Sequence, residues 1–419
     1  MSKSVLDSVA MAYQPVWGRA RRLVAVRVGV LEASPGSVDA AHVMQVLGED
    51  WPAAAPLLIV AFQSEELRWQ ATRCAPVRHT WVELGPQPFT EPEPLSALVE
   101  AAHGGMQLLR RMPLAQIQGE IVAPLHVRSL LRPSADEALQ ALQSRAADGG
   151  PIPGAHSPLV ADQLYEGIGG RPLADHCLDV AHAWGVAGWP DDDVLHAWRD
   201  KPVGCDAVTI LQCRQAIERD ASLEQLERHV RQDPVLVYRL LALVNSASYG
   251  LRHEIESLRH AIMMLGMTAL GRWLSEQLHG SETDRALHPV RFAQVMRSRL
   301  AQHLLDSGAE NDLRSEVYFT SLLSQMDRWL HEPLSTLLHR IPLPGRTLDA
   351  LLRQSGPYLA LLEVSGAQSR IDQLALLPAL CEEHEIPLEQ ANRALLRMLA
   401  TSRDLDPQAR EHPWAMDRQ

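Results

Sequence analysis

Up to Asp191, short apolar runs alternate with helical patterns along the chain. Residues 23–30, Leu-Val-Ala-Val-Arg-Val-Gly-Val, are rich in valine and residues 56–62 form a short apolar run, and both predict buried strands. Residues 80–84 and 116–122 predict two shorter strands, and residues 95–103 and 135–147 carry helical spacing. Strands alternating with helices imply an α/β unit with a largely parallel sheet. Residues 148–172 are rich in Gly and Pro and predict a long loop. Beyond Asp191 the strand signal fades. From Ala207 one helical pattern follows another, with Ser222-Leu-Glu-Gln225 as a capping sequence and residues 289–307 as a long amphipathic helix. Asp233-Pro234 then opens a further helix: the aspartate can accept from first-turn amides, and the proline lacks a donor where none is needed. Asn245-Ser246 and Gly250 would end it.

The chain has 419 residues, enough for two domains, and 46% hydrophobic residues supply material for both cores. Its net charge of −12 argues against nucleic acid as a partner, because neutralising phosphates requires a basic face. Five scattered cysteines without a Cys-x-x-Cys suit reduced thiols, and no run approaches the length of a membrane span, so a cytoplasmic location is expected.

The segment from Asp233-Pro234 to Asn245-Ser246-Ala-Ser-Tyr249-Gly250 resembles the signature of the HDOD domain, an all-helical signalling module related to the HD phosphohydrolases but without their metal ligands. Ser257-Leu-Arg-His-Ala261 to Leu265-Gly266, Tyr318 to Leu330, Pro333-Leu334 and Leu343-Pro344 extend the resemblance over much of residues 205–400. In the other half, Tyr13-Gln14-Pro15-Val16 and the strand after it are similar to the opening of the EAL domain, a (β/α) barrel that hydrolyses cyclic di-GMP. EAL chemistry uses several carboxylates, an asparagine and a lysine around two divalent cations. Here the only lysines are Lys3 and Lys201, outside the strands, and Arg27 stands at the position matched to the first-strand glutamate. Arg110-Arg111 stand where the family has paired aspartates, and Glu83 alone matches a ligand. The resemblance therefore implies a degenerate barrel without metal or cofactor.

Other motifs read first as structure. Asp175-His176-x-x-Asp179-x-x-His182 predicts a polar helix face, with metal binding as the alternative. Glu166-Gly-Ile-Gly169-Gly170-Arg171 lacks the glycine spacing of a phosphate loop, and Cys205 and Cys213 lack an activating neighbour. The expected organisation is an EAL-like α/β barrel at 1–195, an all-helical HDOD domain at 205–400 and a tail at 401–419. The expected function is non-catalytic bacterial signal transduction through protein partners, with Asn245, Ser246 and Tyr249 as candidate contacts and a homodimer as one assembly. The alternatives are a cyclic di-GMP effector using Arg27, Arg110 and Arg111 on phosphates, and a weak cyclic-dinucleotide phosphodiesterase.

Overall fold

A computed structural model describes residues 4–118, 127–145, 150, 152, 154–246, 257–305 and 310–402. It divides into two compact units, Met1–Asp193 with Ala367–Gln419, and Val194–Gly366.

The first unit is built on a closed barrel of eight strands in sequence order. They are β1 (Val9–Trp17), β2 (Leu23–Glu32), β3 (Leu57–Phe62), β4 (Thr80–Leu84), β5 (Gln107–Pro113), β6 (Arg128–Arg132), β7 (Leu164–Glu166) and β8 (Gly185–Ala187). β1 runs antiparallel to both its neighbours, β2 and β8, and every other pair is parallel. Side chains alternate across each strand. Val16, Ala25, Ile59, Leu109, Leu130, Leu164 and Ala187 meet in one apolar cluster inside the barrel. Residues of the opposite parity, such as Met112, Leu131, Tyr165 and Val186, pack outward against the surrounding helical segments. Sequence caps fix the helix starts: Ser134 and Glu137 form a reciprocal capping box before Ala135–Gln143, and the Ser64 side chain caps Glu65–Thr72.

Three details depart from the sequence expectation. Leu114–Gln118 is helical, so the strand expected at 116–122 is absent from its described part, and residues 119–126 lie outside the described set. The Gly/Pro-rich stretch contains β7, a strand of only three residues. The helical domain expected at 205–400 also ends early, because the chain from Ala367 joins the barrel unit. There the buried Asn392 amide donates to the carbonyls of Leu6 and Val9 at 2.8 and 2.7 Å, and the Gln368 amide donates to Met11 at 3.3 Å. The helix Leu388–Ala400 buries Ala391, Ala394, Leu395, Met398 and Leu399 along the same side.

The second unit is helical throughout its described residues, apart from one isolated bridge between Asp206 and Glu282. Ala207–Glu218, Leu223–Val230, Pro234–Val244 and Leu258–Leu265 are each capped by the side chain preceding them, Asp206, Ser222, Asp233 and Ser257. Gly266 (φ 75°) then turns the chain into Met267–His279, a conformation only glycine adopts without strain. The fully buried Asp233 ties the unit together: its carboxylate accepts from Val235 N at 2.9 Å and Asp206 N at 2.6 Å. Arg291 lies 3.7 Å away, donates to the Gly204 carbonyl at 2.8 Å and stacks over Trp329.

Candidate functional site

Two residues beyond the apolar cluster on six of the eight strands, the inward face of the barrel changes character. Ala25 is followed by Arg27, Trp81 by Glu83, Leu109 by Arg111, Leu130 by Arg132 and Leu164 by Glu166; on the antiparallel β1, Gln14 precedes Val16. The period of two thus places five charged side chains in one layer toward the C-terminal end of the parallel strands. That end of a (β/α) barrel is where binding and catalytic groups collect.

Arg27 sits at the centre of this layer. Its guanidinium makes a two-pronged contact with Glu83, Nε to Oε2 and Nη2 to Oε1, both 2.6 Å. Nη1 donates to Gln14 Oε1 at 3.1 Å and to Glu166 Oε2 at 3.4 Å. Arg111 Nε donates to Glu166 Oε1 at 2.7 Å and lies 3.9 Å from Glu83, while Arg132 Nε is 3.4 Å from Glu166. Arg27, Glu83 and Glu166 are almost entirely buried. Burial alone would lower the Arg27 pKa, but the charge and hydrogen bonds of Glu83 and the charge of Glu166 outweigh it, so the pKa is raised and the group stays cationic. The rim is open, with the Arg111 and Arg132 side chains 38% and 60% exposed.

The residues present do not fit a divalent cation between the two glutamates. Each carboxylate already accepts short hydrogen bonds from a guanidinium, and a metal there would lie against the Arg27 charge. Among the described residues no three His, Cys, Asp or Glu side chains converge in a metal-binding group. What the layer can do chemically is present guanidinium groups at a rim, the geometry suited to carboxylate or phosphate oxygens.

The sequence-predicted residues are distributed unevenly around this layer. Arg27 and Arg111 meet in it, as does Glu83. Arg110 has the opposite parity: it faces away from the barrel axis, donates to Ser129 Oγ at 3.3 Å and lies over the Phe89 ring. Arg132, and Glu166 beyond its place in the glycine-rich motif, escaped the sequence reading as members of this layer, since β6 and β7 have five and three residues and were not predicted as strands; their strand-end positions become visible only with the barrel closed. In the helical unit, Asn245 Nδ2 donates to the Leu241 carbonyl at 2.9 Å and Ser246 Oγ to the Leu243 carbonyl at 2.7 Å, so both fold back on their own helix end. Tyr249 lies outside the described residues.

The other motifs are structural. Asp175 and Asp179 both grip Arg21, a residue with positive φ (57°), and His176 hydrogen-bonds Ser157 at 2.9 Å. Burial, helped by Asp233, pushes the Cys205 thiol up to about 12, and burial likewise raises Cys213, leaving both protonated and unreactive at neutral pH.

With this geometry in place, the chain can be set beside known proteins. Residues 207–323 match the HDOD domain family. The helical unit contains an HDOD domain. Two curated proteins are similar to parts of the chain. The uncharacterized protein YuxH of Bacillus subtilis (strain 168) is 25% identical over 151 residues, 34% of this chain and 36% of that protein. The cyclic di-GMP phosphodiesterase CdgJ of Vibrio cholerae serotype O1 is 23% identical over 193 residues, 46% of this chain and 44% of that protein. The chain therefore matches less than half the length of these relatives. Among solved structures, the MmoQ response regulator of Methylococcus capsulatus strain Bath aligns with a TM-score of 0.37 and 20% identity, over 46% of this chain and 98% of its own. The Xanthomonas citri FimX EAL domain, in complex with c-diGMP, aligns with a TM-score of 0.30 and 13% identity, over 43% and 86%. No helix among the described residues is long and apolar enough to cross a membrane.

Proposed function

We propose that this chain is a non-hydrolytic regulatory protein of bacterial cyclic di-GMP signalling, working in the cytoplasm and passing its signal to a protein partner through the HDOD unit. The observation that carries the reading is the Arg27 guanidinium held between Glu83 and Glu166, where metal-assisted hydrolysis would need cations and a water they activate. The partial similarity to a protein named as a cyclic di-GMP phosphodiesterase supplies the signalling context. A guanidinium in that place keeps both carboxylates satisfied and gives no metal-bound nucleophile. The output surface in this reading is the helix end with Asn245 and Ser246, with Tyr249 as a further candidate contact from the sequence.

The test is a hydrolysis assay on the full chain with cyclic di-GMP and magnesium or manganese. No linear product should form even at high enzyme concentration. Turnover that disappears in Glu83→Ala would overturn the proposal in favour of a phosphodiesterase.

One observation favours a second form of the same reading, in which the barrel still binds the nucleotide. The layer holds three guanidinium groups, Arg27, Arg111 and Arg132, against two carboxylates, and the surplus positive charge lies on the exposed rim. Calorimetric titration with cyclic di-GMP separates this effector from a pure scaffold: heat that is lost in Arg111→Ala with Arg132→Ala supports binding. An absence of heat at high micromolar ligand leaves the scaffold. For the output, Tyr249→Ala should weaken partner capture without lowering the melting temperature, and a large drop in melting temperature would move that turn into the core.

A further inference from the structure

Gly29 occupies the inward parity of β2, two residues beyond Arg27, and pairs with Ala12 on β1. A Cβ built on Gly29 would fall 2.8 Å from Ile371 Cγ1 and 3.0 Å from Leu374 Cδ2, so a side chain there has no room. The six-residue 3-10 helix Ile371–Leu376 thus lies on the same strand faces that carry Gln14 and Arg27, at the end of the barrel where the polar layer sits. We infer that Ile371–Leu376 is a displaceable intramolecular cover on the β1–β2 side of the barrel mouth, which shields the Arg27 layer when docked and exposes it when released.

The way the segment is held supports release. On each side it is anchored by a buried amide, Gln368 donating to Met11 and Ala391, and Asn392 to Leu6 and Val9. Between the anchors the contact on Gly29 is apolar, made by Ile371 and Leu374, and no side chain caps the 3-10 helix. Leu376 is 63% exposed. Both anchors also leave their carbonyl oxygens, Gln368 Oε1 and Asn392 Oδ1, buried without a protein partner. Unsatisfied buried acceptors weaken the docked state relative to one in which water reaches them. A smooth glycine seat, a short irregular helix and incompletely satisfied anchors describe a strap rather than a piece of core. The helix leading into it, Pro357–Gln368, starts in the HDOD unit and crosses the boundary at Gly366, so the cover is covalently continuous with that unit.

The test needs no ligand and is independent of whether the barrel binds or hydrolyses a nucleotide. In a Cys74→Ser background of the full chain, Ala12→Cys places a thiol on the covered face, and its labelling by a maleimide is timed under native conditions. Adding Ile371→Asp and Leu374→Asp should raise the labelling rate at least tenfold while a cooperative barrel melt persists. Hydrogen exchange on the chain without these substitutions should find residues 371–376 opening well before residues 57–62 of β3. An unchanged labelling rate overturns the inference. So does loss of the cooperative melt in the Asp variant, or exchange of 371–376 only together with β3, since each would make the segment an integral wall of the barrel.

Discussion

Replacing Arg27 by methionine keeps much of the side chain's length and removes its charge, and the geometry sets the size of the effect. Glu83 would lose both of its 2.6 Å hydrogen bonds, and its nearest remaining cation in this layer would be Arg111 at 3.9 Å. Glu166 would lose only the 3.4 Å contact and keep Arg111 at 2.7 Å. Breaking a buried ion pair from one side costs about 3–5 kcal/mol. Because one of the two carboxylates keeps its partner, the lower end applies, about 3 kcal/mol, a large fraction of the roughly 5–15 kcal/mol by which domains are stable. Urea melts of Arg27→Met and the original chain at pH 7, followed by exchange in β2–β4, measure the loss. Adding Glu83→Gln, which removes the carboxylate left without its guanidinium, should recover about 1–2 kcal/mol. A deficit under about 1 kcal/mol, or no recovery on adding Glu83→Gln, would refute the claim that Arg27 is the resident counter-charge of this layer.

Gly29→Val should destabilise the barrel unit by about 1–3 kcal/mol through overpacking, seen as a lower melting temperature; in the chain truncated after Gly366 the same substitution should no longer clash with Ile371 or Leu374, and a penalty of equal size there would remove the contact as its cause. Asp233→Ala removes the carboxylate beside Arg291 together with the helix cap, and should cost the HDOD unit about 3–5 kcal/mol in denaturant melts. Burial raises the Asp233 pKa above its unfolded value, so ionisation opposes folding; relative to Asp233→Asn, the original chain should gain stability as pH falls through that raised pKa, and a gap that widens against it in acid would contradict the assignment. Burial, with Arg145 adding to it, lowers the His176 pKa, so its contribution is present above about pH 6.5 and lost as pH falls below; His176→Gln should flatten barrel stability between pH 7 and 5.

How far the sequence revealed this architecture depended on element length. β2 and β3 announce themselves through runs of valine, isoleucine and leucine, and the helix caps Ser222, Asp233 and Ser257 act where their spacing places them. β7 and β8 have three residues each, too few for a period of two to stand out from a Gly/Pro-rich background, and Glu166 was hidden with them. Arg27 was legible as a charge inside an otherwise apolar strand, and Arg111 through the resemblance that set Arg110-Arg111 against paired aspartates. Neighbouring Arg110 was not separable from Arg111 until the barrel's parity sent one inward and the other out. Leu388–Ala400 falls in the stretch read as helix after helix from Ala207 onward, but such a pattern names no partner, because an apolar stripe says what must be buried and not against what. Asn392, fully buried amid that stripe, was the one local sign of a backbone waiting to be met.

The polar layer remains the feature that stability does not account for. A buried ion pair of this kind is often no better for folding than apolar side chains of similar volume, and in the next layer down the same barrel uses alanine, isoleucine and leucine without difficulty. Arg27 and Glu83 neutralise each other deep in the mouth, which fixes the side chains in place. Arg111 at 2.7 Å and Arg132 at 3.4 Å both reach Glu166 from the partly exposed rim. A site built only to be stable would not carry unequal charge to its exposed edge, because desolvated carboxylates gain most from partners buried beside them. A site built to hold an anion would, since a preorganised guanidinium loses little freedom on binding and its fork matches phosphate oxygens. In the effector form proposed above, the buried pair would serve as the scaffold and the rim as the recognition surface, with Arg27 positioning Arg111 through the carboxylates they share.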